Sequence, residues 1–518
     1  MKNDQSFFIN RLAGEPDPES AHASWLARGA WAIIGLGILL RLLRFAADRN
    51  LWLDELMLAH EVLTHPLTGL AQPLRDTGAP VGFLVVTRVA VDALGDHDWV
   101  LRLLPFLAGC IGLVLLYRVS LRLLTPRGVL FVLTILAVVE PAVYYSGEFK
   151  QYSIDLAVTL VILFVALRAR HSERFSDRFI ALGLVGTVSV WFSFPAVFVL
   201  AGAGVTLMAF ELLAGRRRAA VALLAVAGVW LGSFAAVYIL TIRNLIGNEF
   251  LQDAWDSTFM PLSPVAMVSW QIHALGKSFG TDTLGIPEIG AAVLAAVLGV
   301  VDLARRRPEG LGFILLPIAF AMAASAFNQF PFGGRQILFL APCLALVVAA
   351  GMDVLLREPR PMARLAGVLL ILVIMTLPVE RGVRAALGGQ TNEEIEPVLK
   401  YVATHWQPGD TLYLYYSAQL GYERYAGRVG MPASVTPIVG TRNRGDWLGL
   451  SEDVARLTGN GRVWVILSHF YAPTRGGDER IIVRALDHMG QRLEAVREPG
   501  ASAYLYDLRD AKTGETHP

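Results

Sequence analysis

The sequence predicts an α-helical polytopic membrane protein with about eleven transmembrane helices and a small soluble α/β domain at its C-terminal end. Three observations lead there. The 518 residues are 54% hydrophobic and only 17% charged, too apolar for a soluble protein of this size. Apolar stretches near the roughly 20 residues needed to cross a hydrocarbon core recur from Trp31 onward. From about residue 385 the composition becomes ordinary, and short helix and strand patterns alternate.

A net charge of +1, with basic residues scattered through short loops, offers no attraction to nucleic acid, so no nucleic-acid partner is expected. Cys110 and Cys343 lie inside apolar segments without metal-ligand spacing, so neither a disulfide nor a cysteine zinc site is expected. Residues 1–28 are polar and lack the apolar core of a signal peptide, so the segment from Trp31 reads as a retained anchor and 1–28 as a cytoplasmic N-terminal segment.

Spans are expected near residues 29–47, 99–117, 129–146, 153–168, 178–193, 196–214, 219–241, 285–304, 310–327, 336–356 and 364–380. The loops alternate in charge. Arg118, Arg122 and Arg127, then Arg168, Arg170, Arg174 and Arg178, then Arg216 to Arg218, Arg305 to Arg307, and Arg357, Arg360 and Arg364 put 16 arginines in five short loops, against 7 basic residues in the intervening ones. The positive-inside rule places the arginine loops and the N-terminus in the cytoplasm. Everything after the last span then faces outward.

Residues 29–384 thus read as the transmembrane domain, with long outer loops at 48–98 and 242–284. In the first, Leu51 to Leu63 and Pro80 to Leu94 are expected to lie as interfacial helices. The second carries Trp255, Trp270 and Lys277 and is expected to wall the same outer cavity. Residues 385–518 read as the extracytoplasmic α/β domain. Asn392 is expected to cap a helix through Val402, followed by a strand from Thr411 to Tyr416. A helix from Glu452 to Leu457 precedes a strand from Arg462 to Leu467. A helix from Asp478 to His488 precedes strands at Arg492 to Val496 and Ala503 to Tyr506. No Gly-rich phosphate fingerprint occurs there, so this domain is assigned no cofactor.

Two clusters could carry chemistry. Asp54 and Glu55, in Leu51-Trp52-Leu53-Asp54-Glu55, fall just past the first span. Tyr144-Tyr145-Ser146-Gly147-Glu148-Phe149-Lys150-Gln151-Tyr152-Ser153 ends a later span on the same expected side. Acids, an amine and aromatic rings where lipid meets water suit chemistry on a lipid-borne phosphate. Blander readings exist for each. Asp54 could cap a helix starting at Glu55. Glu148 and Lys150 could be an interfacial ion pair of little energy. Arg44 and Arg335 could snorkel, and Tyr144, Tyr145 and Tyr152 could belong to an aromatic belt.

These two motifs, with Arg102-Leu103-Leu104-Pro105 opening the second span, Arg335 in an outer loop and Gln407-Pro408-Gly409-Asp410 in the tail, resemble the GT-C superfamily of membrane glycosyltransferases. The similarity is to the branch of bacterial relatives of protein O-mannosyltransferases and the lipid A aminoarabinose transferase. It implies an inverting enzyme of the bacterial inner membrane. A sugar would pass from a polyprenyl-phosphate donor to a hydroxyl on a glycan, lipid or protein acceptor at the outer face. Carried onto this sequence, Asp54 is the general base, and Glu148 is a second catalytic acid that orients Lys150, holds the acceptor, or joins Asp54 around a divalent cation (Mg, Mn or Zn). Lys150, Arg335 and Arg44 would bind the donor phosphate, with Glu55, Trp52, Tyr145, Gln151 and Tyr152 as further substrate contacts.

The sequence departs from the common pattern at Glu140, an acid beside Pro141 that must face the protein interior, and at residues 76–81, where relatives often carry a histidine or paired prolines. From another class, the alternative is a transporter or flippase of lipid-linked saccharides, disfavoured because the polar residues collect at one surface and no repeated halves are visible.

Overall fold

The computed structural model describes residues 18–47, 49–72, 74, 77–170, 175–246, 255–280, 282–388, 392–443, 445–470 and 477–509. The expectations for the first seventeen residues, for Asp76, for Arg174 and for the middle of the 242–284 loop lie outside these residues. The chain divides into two compact units, one of Met1–Ala47 with Leu67–Gly389 and the other of Asp48–Pro66 with Gln390–Pro518.

The first unit is a bundle of apolar helices. Among the described residues eight are long and apolar enough to cross a membrane, or nine if the bent pair Pro126–Val138 and Glu140–Gly147 forms one span. The two remaining expected spans are also helical, at Phe175–Phe192 and Ile289–Arg306. Both are only 18 residues long and carry charge in a terminal turn, which places them at the limit of the length a bilayer needs. The Gly334–Arg357 segment is almost wholly buried. Its helix crosses Ile289–Arg306 so closely that a Cβ on Gly351 would overlap the Ala295 carbonyl, and one on Gly299 the Val347 carbonyl. Glycine is required there because helix association in lipid depends on close packing.

Ion pairs and a hydrogen bond tie the arginine loops together in two groups. Arg357 bridges Asp353 at 2.8 Å and Asp302 at 2.9 Å, and Thr125 Oγ1 donates to Asp353 at 2.6 Å. These contacts join three of the five loops. Arg178 and Arg216 both meet Glu211, joining the other two.

The bend in the third span follows from Pro141. Proline has no N–H for the Ala137 carbonyl, and Glu140 starts a new turn after an extended Val139, so the two helix pieces meet at 59°. The carbonyls of Leu136 and Ala137 lose their helical donors. Arg41 supplies replacements, donating at 2.9 Å to Leu136 and at 3.2 Å to Ala137. Glu140 itself is half-buried at this break.

The second unit contains a five-stranded sheet in the order β2-β1-β3-β5-β4. Its strands are β1 (Thr411–Leu414), β2 (Ile438–Val439), β3 (Arg462–Ser468), β4 (Gln491–Glu498) and β5 (Ala501–Asp507). β1 runs parallel to β2 and β3, whereas β5 is antiparallel to β3 and β4. Helices Ile395–His405, Trp447–Ala455 and Asp478–Met489 accompany the sheet. Gln407 to Asp410 is a turn with Gly409 at φ 95. The Asp410 carboxylate there accepts from Gln407 N and Trp464 Nε1 and pairs with Arg462.

Asn392 does not cap the first of these helices. Glu394 stands at its N-cap because residues 392–394 lie along the β4–β5 turn, where Glu394 N donates to the Pro499 carbonyl at 2.8 Å.

Candidate active site

The expected site residues fall in both units. Arg44, Tyr145, Glu148, Lys150, Gln151, Tyr152 and Arg335 belong to the first, and Trp52, Asp54 and Glu55 to the second.

In the first unit the Tyr144–Tyr152 segment turns back between two helices as a 3₁₀ turn and a short irregular stretch. Its charges are held from within. Arg44 Nη2 donates to Glu148 Oε1 at 3.3 Å, with the side chains 0% and 1% exposed. Arg44 also donates to the Ala385 carbonyl at 3.4 Å and lies 4.5 Å from the centre of the Tyr144 ring. It therefore does not snorkel to an interface.

A chain of rings continues from there. Tyr144 meets Tyr145 edge-on at 5.1 Å, and Tyr145 meets Tyr152 edge-on at 5.1 Å. Arg335 then sits between Tyr152 and Trp255, 5.7 Å from each ring centre. Tyr152 is buried inside the bundle, so it is no member of a lipid-facing belt. Planar guanidinium against aromatic faces is a favourable, preorganised arrangement. Arg335 follows Gly334, whose φ of 55 suits glycine and whose N–H donates to Asp282 at 2.8 Å.

Lys150 is buried, and its Nζ donates to Thr77 Oγ1 at 3.4 Å. Gln151 Nε2 donates to the Gly78 carbonyl at 3.4 Å. Thr77 and Gly78 belong to the 76–81 segment that departs from the common pattern.

In the second unit Trp52 is the N-cap of a helix spanning Leu53–Thr64. Asp54 is therefore the second helical residue and not its cap. Glu55, fully buried, accepts from Trp52 N at 3.4 Å, which satisfies one of the free N–H groups at the start of the helix. Asp54 is half-buried in the first turn, where a carboxylate is favoured by the helix dipole. Three donors and acceptors outside the helix fix this turn. Leu51 N donates to Tyr425 Oη at 2.8 Å, Leu53 N donates to Glu393 at 3.0 Å, and Asn50 and Glu396 exchange two hydrogen bonds.

Asp54 and Glu148, the residues named for a divalent cation, fall in different units. The Glu148 carboxylate is buried against a guanidinium. Among the described residues no three His, Cys, Asp or Glu side chains gather as a metal-binding group.

No protein-family model and no curated protein sequence matches the chain. Solved structures do match it. Over 96% of this chain and 100% of the other, the structure is similar to ArnT from Cupriavidus metallidurans in the apo state, with a TM-score of 0.51 at 13% identity. The chain has the GT-C fold. A second GT-C structure, the archaeal oligosaccharyltransferase AglB from Archaeoglobus fulgidus in complex with an inhibitory peptide and a dolichol-phosphate, covers 94% of this chain and 75% of its own, with a TM-score of 0.53 at 13% identity. The apo form of that oligosaccharyltransferase gives a TM-score of 0.54 over the same shares.

Four residues that shape this fold carry no signal that local sequence patterns reveal. Arg41 was hidden inside an apolar span, although Pro141 signals a carbonyl in need of a donor. Thr77 sits in a loop without periodicity. Glu393 and His469 lie 76 positions apart, and nothing local marks their contact.

Proposed function

We propose that the protein is an integral-membrane glycosyltransferase that moves a sugar from a polyprenyl-phosphate donor to an acceptor hydroxyl on the outer face of a bacterial inner membrane. The observation that carries this reading is the GT-C fold over nearly the whole chain, with the Leu-Trp-Leu-Asp-Glu and Tyr-Tyr-Ser-x-Glu-x-Lys-Gln-Tyr-Ser motifs in the order that family shows. The dolichol-phosphate held by one structure of this fold supports a lipid phosphate as the donor's leaving group.

In this reading Asp54 takes the proton from the acceptor hydroxyl as its oxygen attacks the anomeric carbon. The bond from that carbon to the phosphate oxygen breaks, its electron pair leaves with the polyprenyl phosphate, and the configuration inverts. Lys150 and Arg335 stabilise the charge that develops on the phosphate. Arg44, already committed to Glu148 and Tyr144, holds the turn that bears Lys150, and Glu148 acts as its anchor. The half-buried Tyr145 offers a ring for sugar contact. The N-terminus is cytoplasmic and the second unit extracytoplasmic.

The test is to incubate the purified full-length protein in detergent with a labelled polyprenyl-phosphate sugar and cell-envelope acceptors. Label transfer without a closed membrane supports the reading. No transfer, together with donor movement across proteoliposomes, would overturn it in favour of a transporter.

A further inference from the structure

A carboxylate at the start of a helix acts as a general base only if that first turn stays still, because a misplacement of about 1 Å can cost roughly a hundredfold in rate. The first turn of the Asp54 helix is held by the neighbouring acid Glu393. One oxygen of Glu393 accepts from Leu53 N, the residue before Asp54, at 3.0 Å. The other is in contact with His469 Nδ1. Glu393 is buried, so its carboxylate is confined to these tasks.

His469 occupies an unusual backbone conformation for this role. It follows β3 with φ 54, a left-handed geometry that costs a non-glycine residue about 1 kcal/mol or more. Its N–H donates to the Gly500 carbonyl at 3.2 Å, and its ring lies 6.3 Å from that of Trp52, the N-cap residue. Gly500, at φ 68, approaches Asn392 so closely that a Cβ would overlap the Asn392 carbonyl. The β4–β5 turn therefore locks both partners, holding residues 392–394 through Pro499 and His469 through Gly500. A strained histidine kept in place to meet one carboxylate is the pattern of a device maintained for geometry.

We infer that Glu393 and His469 are positioning residues that hold the Asp54 carboxylate in its reactive place, which gives the C-terminal unit a part in turnover. This rests on the assignment of Asp54 as base. The test compares the full-length variants Glu393→Ala, Glu393→Gln, His469→Gly and Asp54→Asn for kcat, donor KM and unfolding temperature. Glu393→Ala is expected to lower kcat roughly 10- to 100-fold with donor KM changed less than about twofold. Glu393→Gln rescues most of the rate, since its amide oxygen still accepts from Leu53 N and the imidazole can accept from the amide in its other tautomer. His469→Gly relieves the left-handed strain, so it keeps an unfolding temperature close to that of the wild type while kcat falls about tenfold. A purely structural pair would make rate and stability fall together.

Wild-type kcat in Glu393→Ala or in His469→Gly, with Asp54→Asn inactive, overturns the positioning role and leaves the function standing. Full activity in Asp54→Asn overturns the function itself. Should Glu393→Ala not fold, the Glu393→Gln and His469→Gly pair decides.

Discussion

Arg44 and Glu148 form an ion pair at 3.3 Å in which neither side chain is more than 1% exposed. Two charges taken out of water repay their desolvation only when both are present, so losing one is costly while replacing both need not be. Arg44→Ala and Glu148→Ala should each destabilise the protein by about 3–5 kcal/mol, measured by unfolding in detergent. The double variant Arg44→Met with Glu148→Leu should recover much of that stability. Additive losses in the double variant would show that the two residues act separately.

Arg41 tests how the broken span is maintained. Its guanidinium answers the carbonyls left without donors by Pro141, and a buried carbonyl stripped of its partner costs about 1–3 kcal/mol. Arg41→Leu should lower the unfolding free energy by an amount in that range per carbonyl. Pro141→Ala, which returns an N–H to the Ala137 carbonyl, should make the Arg41→Leu loss smaller. Equal losses in both backgrounds would disconnect Arg41 from the break.

For donor handling, Arg335 and Lys150 supply the positive charge in the proposed mechanism. A hydrogen bond to a charged group contributes about 1.5–3 kcal/mol, so Arg335→Ala or Lys150→Ala should raise donor KM roughly 10- to 150-fold with acceptor KM little changed. Arg335→Lys keeps the charge but loses the flat stacking between Tyr152 and Trp255, and should fall between wild type and Arg335→Ala. Steady-state titration of each substrate separates these effects.

The sheet of the second unit carries a pH signature. Burial pushes the Tyr413 phenol from its ordinary 10.0 up to about 12, and its hydroxyl donates to Asp453 at 2.6 Å. Burial likewise raises Tyr415, whose hydroxyl donates to Asp478, and Tyr506, whose hydroxyl donates to Asp487. A group that holds its proton more tightly when folded contributes stability that is complete below its unfolded pKa and is lost as pH rises toward its folded one. Proteolytic resistance of residues 392–509 should therefore be flat to about pH 10 and fall toward pH 12. Tyr413→Phe, which cannot titrate, should show a shallower alkaline decline even if its starting stability is lower.

Much of the membrane architecture was legible because lipid leaves few choices. Span length follows from bilayer thickness, and Arg357, Asp302 and Thr125, from three loops rich in arginine, are joined through Asp353 and Asp302. The soluble strands were legible wherever a whole β-branched and aromatic run was buried, as in Arg462–Ser468, while two-residue β2 left no periodic signal. Partnership was not legible. Nothing near Arg44 announces Glu148 a hundred positions away, and Leu51 to Leu63, expected to lie as an interfacial helix of the membrane domain's outer loop, belongs to the C-terminal unit, bonded there through Tyr425 and Glu393. Such contacts depend on tertiary geometry that local patterns do not encode.

Asp54 is tested by sugar transfer from a labelled polyprenyl-phosphate donor, with purified wild type and Asp54→Asn side by side. Loss of the general base should lower turnover by about 10²–10⁴-fold, while elution as a folded monodisperse species and donor binding persist. Turnover at the wild-type rate in Asp54→Asn would show that Asp54 is not the base.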